Sequence, residues 1–175
     1  MKKISISGRE KKLNDEDFIV SKTDTKGKII YCNEIFAKMA GYKVSDLINA
    51  NHNIIRHPDM PALAFKIAWS LIQGKKEFFG FVKNLCADGS YYWVFACITA
   101  DLDTNGDIIS YTSVRRKAPK SAIETIIPIY KLLLDAEKKE NLEASSKLLD
   151  DFLSQNQTTY DEFIINLQNS IKVKN

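Results

Sequence analysis

Apolar and polar positions alternate in short runs over the first 120 residues and recur at three- and four-residue spacing after them. Phe18-Ile19-Val20-Ser21-Lys22-Thr23 is predicted as a strand, Asp24-Thr25-Lys26-Gly27 as a turn, and Lys28-Ile29-Ile30-Tyr31-Cys32 as its hairpin partner. Asn33 is placed to cap a short helix, Glu34–Ala40, which Gly41 ends, and Ser45-Asp46-Leu47-Ile48 reads as another helical turn. Phe65, Ala68, Trp69 and Ile72 share one face of a predicted helix, Ala62–Gln73, stopped by Gly74. Two strands follow, Phe79–Leu85 and Tyr91–Ala100, around the Ala87-Asp88-Gly89-Ser90 turn; Asp103–Asp107 then leads into a last one, Ile108–Arg116. Gly80 lies inside a strand, where a missing side chain marks close approach of a ligand or another backbone. Two strands, several short helices and three strands make an α+β layer: a five-stranded antiparallel sheet with short helices on one face.

Residues 121–175 change character. They hold no glycine and show helix periodicity throughout. Ser121-x-x-Glu124 and Thr159-x-x-Glu162 have the capping-box pattern. Ile123, Ile126, Ile127 and Tyr130 form one apolar stripe ahead of Leu133 and Leu134. Leu149, Phe152 and Leu153 mark a middle helix, and Tyr160, Phe163, Ile164, Leu167 and Ile171 a third. Such stripes need a partner surface, either one another and the sheet or the helices of another protein. The expected organisation is an N-terminal segment 1–17, a sheet domain 18–120 and a helical extension 121–175.

Charge and composition narrow the function classes. With 45% hydrophobic and 27% charged residues the 175-residue chain has the make-up of a globular protein. No apolar run approaches the ~18 residues of a membrane span, and the start, Met1 to Glu10, lacks the apolar stretch of a secretory signal. Lys+Arg number 19 against 13 Asp+Glu over residues 1–120, and 6 against 9 over 121–175, with the signs interspersed, so a nucleic-acid partner is not expected. The three cysteines (32, 86 and 97) have no C-x-x-C spacing, which argues against a disulfide framework or zinc ribbon and suits a reducing cytoplasm.

No G-x-G-x-x-G, P-loop, G-x-S-x-G or H-E-x-x-H motif is present, so neither an enzyme nor a metal centre is expected. The segment that stands out is His52-Asn53-Ile54-Ile55-Arg56-His57-Pro58-Asp59-Met60-Pro61. Proline holds His57 and Met60 extended. Arg56 offers a permanently charged fork, His57 a donor or acceptor, and Asp59 either a cap for the next helix or an anchor for a histidine tautomer. Trp69, Phe78, Phe79, Phe81 and the Tyr91–Phe95 run follow closely. These aromatic residues can line a flat cavity for a planar ring, with Asn84 supplying hydrogen bonds. Along the strand Tyr91, Trp93 and Phe95 share one face and Tyr92 and Val94 the other; one face must be core or cofactor, and alternation leaves open which.

These runs, with Ser21-Lys22-Thr23-Asp24, Ile29–Asn33, Gly41-Tyr42, Val82-Lys83-Asn84, Tyr92-Trp93-Val94 and Ser113-Val114-Arg115, resemble the PAS sensor domain of the aerotaxis-receptor family. The resemblance covers about residues 18–120. It implies a PAS fold holding FAD non-covalently, whose redox state follows electron transport and is passed to a chemotaxis signalling domain. It assigns flavin retention to His52, Arg56, His57 and Asp59, and places Asn84 near the ring. Phe78 stands where the family has tryptophan, and Trp69, Trp93 and Asn33 complete the candidate set. The chain also resembles the stand-alone PAS subunit of the bipartite energy-taxis systems of Campylobacter-type bacteria. That likeness implies a cytoplasmic subunit, at the inner membrane only through its partner, a transmembrane methyl-accepting-type transducer with HAMP and signalling domains. A homodimer is a further expectation. Haem held by His52 or His57, or a cofactor-free interaction module, are the alternatives. Light-sensing flavin relatives carry a cysteine beside the ring ahead of the third strand. None lies between Cys32 and Cys86, so adduct photochemistry is not expected.

Overall fold

The computed structural model describes residues 4–169. The stripe residue Ile171 and the basic start Met1–Lys3 lie outside them. Five strands, β1 (Ile19–Thr23), β2 (Ile29–Cys32), β3 (Phe78–Leu85), β4 (Tyr91–Leu102) and β5 (Ile108–Lys117), form one antiparallel sheet in the order β2-β1-β5-β4-β3. Between β2 and β3 come α1 (Glu34–Ala40), α2 (Val44–Leu47), a 3₁₀ turn (His52–Ile55) and α3 (Ala62–Gln73). The extension folds as α4 (Lys120–Lys139), α5 (Leu142–Gln155) and α6 (Tyr160–Asn169).

Local chemistry sets several boundaries as expected. Asn33 Oδ1 accepts from Phe36 N (3.1 Å) at the start of α1, and Gly41, with φ of 74°, closes that helix in the left-handed conformation glycine tolerates. At α6, Thr159 N–H donates to Glu162 Oε2 (3.0 Å) and Glu162 N–H to Thr159 Oγ1 (3.3 Å), a reciprocal box. Elsewhere the ends differ from expectation. Helix α4 begins at Lys120 after Pro119, so Ser121 lies inside the helix and Glu124 instead meets Lys120 one turn back (3.5 Å). It also continues through Pro128, whose missing N–H removes one bond of the ladder.

What packs against each side of β4 decides the direction of its two faces. Tyr92 and Val94 point inward, with Ile19, Ile29, Phe36, Leu47 and Ile55, into a core beneath α1 and α2. Trp93 and Phe95 point the other way and are covered by the extension, packed with Phe81, Ala122, Ile126, Tyr130 and Ile164. The apolar stripes of the extension are therefore used inside this chain: α4, α5 and α6 pack on one another, on β3 and on the N-terminal half of α3. Tyr130 donates from its buried hydroxyl to the Phe81 carbonyl (2.8 Å). Glu137 accepts from the N–H groups of Ala62 (2.8 Å) and Leu63 (2.9 Å), satisfying two orphan donors of α3 with a carboxylate borrowed from α4. None of the described helices is long and apolar enough to cross a membrane.

Candidate functional site

The sheet becomes hollow where its inward residues are small. In register across the strands run Gly80, Ala96 and Arg115, and beside them Phe78, Ile98, Ser113 and Ser21. Alanine and serine leave space between the sheet and α3, and the resulting cavity has a volume of about 320 Å³, at the lower end of the range for small-molecule sites. Its apolar walls include Met60, Phe65, Ala68, Trp69, Ile72 and Phe78; its polar ones include His52, Arg56, Asn84 and Arg115.

Backbone pairing brings the polar groups to this hollow. The His52 N–H donates to the Gly27 carbonyl (2.9 Å), which seats the 3₁₀ turn against the β1–β2 hairpin, and Arg56 bridges to Asn84 at the end of β3. His52 is half-buried, stacked on Phe36 (5.7 Å between centroids), with Nε2 3.3 Å from Ser21 Oγ. Ser21 Oγ accepts from Arg115 Nη2, which leaves its own proton for His52. Burial, and then the Arg115 charge, push the His52 pKa down to about 3, so the imidazole is neutral. Arg56 lies at the exposed mouth with its guanidinium over the Phe65 ring (4.4 Å). Trp69, 37% exposed, stands edge-on to Tyr111 (5.4 Å) at the rim.

Of the nine candidates, His52, Arg56, Trp69, Phe78 and Asn84 line the cavity. The other four do not, each for a definite reason. Asn33 spends its side chain on structure, accepting from Val20 N (3.1 Å) and Phe36 N and donating to the Phe18 carbonyl (2.7 Å). Trp93 is on the face turned to the extension, 6.4 Å from the Tyr130 ring. His57 is buried at the α3 entry, where its Nδ1 accepts from the Asp59 N–H (3.1 Å) and its ring meets Tyr91 edge-on (5.8 Å). The Asp59 carboxylate faces outward to Lys83 (2.6 Å). It neither caps α3, a task taken by Glu137, nor holds the His57 tautomer, which the backbone fixes. Although burial opposes it, the Lys83 bond keeps the Asp59 carboxyl below its ordinary pKa.

Sequence reasoning missed Arg115 as a site residue, although its run was part of the resemblance. The available signal was alternation on β5, where Tyr111, Ser113 and Arg115 share the inward face. Gly80 was expected to admit a ligand or backbone. A Cβ there would meet the Phe78 ring at 2.5 Å and the Tyr160 hydroxyl oxygen at 3.3 Å, so the close approach is by side chains. Phe78 thus has the cavity to one side and the stacked Tyr160 ring of α6 (6.2 Å) to another.

A flavin ring can be tested against this donor set. Arg115 Nε and Nη1 are buried without hydrogen-bond partners among the described residues, buried Asn84 Nδ2 has only the Tyr92 hydroxyl beside it, and the Arg115 and Asn84 side chains both line the cavity. All three nitrogens are donors. A mostly apolar cavity with surplus donors suits a ring whose polar edge is rich in acceptors, as the pyrimidine edge of isoalloxazine is. Haem fits less well: His57 lies outside the cavity, and His52 Nε2 is engaged with Ser21. Among the described residues no cysteine lines the cavity.

Residues 29–115 match the family model described as the PAS fold. Over 121 residues the chain is 35% identical to the aerotaxis receptor of Escherichia coli K12, covering 69% of this chain and 24% of that one. It is 28% identical over 97 residues to the nitrogen fixation regulatory protein of Klebsiella oxytoca, covering 55% of this chain and 20% of the relative. The chain thus spans about a quarter or less of these relatives. Among solved structures, a light-oxygen-voltage domain from a flavin-analogue study superposes with a TM-score of 0.56 at 21% identity, over 63% of this chain and 83% of that one. The PAS domain of a Colwellia psychrerythraea protein does so at 0.54 and 19%, over 59% and 87%.

Proposed function

Residues 29–115 are a PAS domain homologous to part of an aerotaxis receptor, and from that premise we propose that this protein is a redox sensor holding FAD in the described cavity. The observation that carries this reading is the pairing of a mostly apolar cavity with buried, unpartnered donors. FAD supplies reversible uptake of electrons, which changes the charge and hydrogen-bond demand of its ring edge. Asn84 and Arg115 would hold that edge, Phe78, Ile72 and Trp69 would shield the ring from water, and Arg56 at the mouth would meet the phosphates. Asn84 carries both a donor and an acceptor on one amide, so rotation lets it answer a change in demand.

The signal leaves through two contacts of the cavity wall. Phe78 is backed by Tyr160 of α6, and α3 is capped by Glu137 of α4. The extension or the sheet surface beside it then engages a separate membrane-bound chemotaxis transducer, as in the bipartite energy-taxis systems. On this reading the protein works in the cytoplasm, reaching the inner membrane only through that partner. The test is to purify the protein, record its visible spectrum, denature it and weigh what is released. A two-banded flavin spectrum with about one FAD per chain is expected. An intense Soret band would establish the haem reading, and a colourless protein after refolding with excess FAD would leave an interaction module.

A further inference from the structure

Arg115 is the most buried arginine or lysine among the described residues, 2% exposed, and lines the cavity from β5. Its Nη2 is anchored on Ser21 Oγ and its guanidinium lies over the Phe36 ring (4.7 Å). Nε and Nη1 have no partner and no carboxylate pairs with it among the described residues. The groups around it carry no compensating charge. His52 is neutral; burial pushes the thiol of Cys32 and the hydroxyl of Tyr92 up, and both stay protonated. Burying a guanidinium this way is costly unless something anionic arrives to meet it.

We propose that Arg115 is the residue that reads the flavin's redox state: it contacts the pyrimidine edge of the ring and binds the reduced form more tightly than the oxidised one. The proposal rests on the FAD reading above. The oxidised ring is neutral, and its edge is mostly acceptors with the N3–H as its one donor. Uptake of two electrons and one proton, from a two-electron donor such as a quinol or dithionite, leaves one negative charge on the ring. A neighbouring guanidinium stabilises that charge and raises the midpoint potential. The buried charge is then neutralised in one redox state and not in the other, which gives the fold two conditions to distinguish.

The experiment is a dithionite titration of the full chain loaded with FAD, followed by absorbance between pH 6 and 8. With Arg115 present, one proton per two electrons gives a slope of about 30 mV per pH unit down to pH 6. Arg115→Met is expected to lose about a hundredfold of the preference for the reduced ring, lowering the potential by about 60 mV and steepening the slope toward twice that of the wild type. Arg115→Lys, which keeps the charge, should retain the wild-type slope. An Arg115→Met protein holding FAD at an unchanged potential overturns the proposal and leaves the FAD reading standing. A wild type that takes up no FAD removes both. Should the methionine variant not fold, the wild-type slope decides alone: about 60 mV per pH unit at pH 6 overturns the proposal.

Discussion

Two neighbours in one motif, Arg56 and His57, part company in space. Arg56→Ala removes a cation from the cavity mouth without opening the core, so FAD retention is expected to drop about tenfold with thermal stability nearly unchanged. His57→Ala empties a buried site and frees the Asp59 N–H, so it is expected to cost about 1–3 kcal/mol of stability in a urea titration. Occupancy in that variant should fall only in proportion to unfolding, and a stable His57→Ala protein with weak FAD binding would return the residue to the cavity. Acid sensitivity is the second residue-scale expectation. The folded-state pKa of His52, about 3, lies below the ordinary 6.5, so the unfolded chain binds the proton more readily between those values. Stability is therefore full above pH 6.5 and declines as pH falls toward 3; His57, shifted the same way, adds to the decline. His52→Gln should flatten this dependence in melting curves between pH 4.5 and 7. The motif was legible as a site because histidine, arginine and proline crowd one segment. What it did not reveal is that His52 and Arg56 face the hollow while His57 and Asp59 sit at the α3 entry, since that division depends on where the bridge from Arg56 to Asn84 forms.

At the scale of elements, legibility followed the range of the stabilising contact. The ends of α1 and α3 could be placed because Asn33, Gly41 and Gly74 act within a turn of themselves. The cap of α3 could not: its acceptor, Glu137, is more than seventy residues away, and Asp59 was the nearer candidate by sequence. Glu137→Ala should therefore destabilise the chain by about 1–2 kcal/mol although the residue belongs to another helix. Measured by denaturant midpoint, a loss below a few tenths would show the cap to be dispensable. Gly80 gives a complementary case. A methyl group there must displace the Phe78 ring, and overpacking of this kind costs about 1–3 kcal/mol. Since Phe78 lines the cavity, Gly80→Ala should also weaken FAD binding, whereas the same change at Gly106, with nothing within 4 Å, should leave binding untouched.

The whole molecule is a PAS sheet with one face over a ligand-sized hollow and the other under the chain's own helices. Trp93, predicted beside a cofactor, is instead half of that second interface, because alternation could assign it only relative to Tyr92 and not to a direction. Removing residues 121–175 bares Phe81, Trp93 and Phe95 together, each worth roughly 1.5–3 kcal/mol of burial. The shortened chain is expected to bind a hydrophobic dye and to melt well below the full one; a melt at the same temperature would mean the helices are an ornament to the sheet.

Between the last residue of β5, Lys117, and the first of α4, Lys120, stand only Ala118 and Pro119. The joint has no slack and one of its two residues has a fixed φ. Twenty residues of helix extend from it, about 30 Å at 1.5 Å each, so a tilt of about five degrees at the joint carries the far end more than ~2 Å. The strand on the near side of that joint is the one carrying Arg115. Any such tilt works against the two ties that pin the helix downstream, the Tyr130 bond to β3 and the Glu137 cap on α3, so strain set up at the hollow is delivered to those two points.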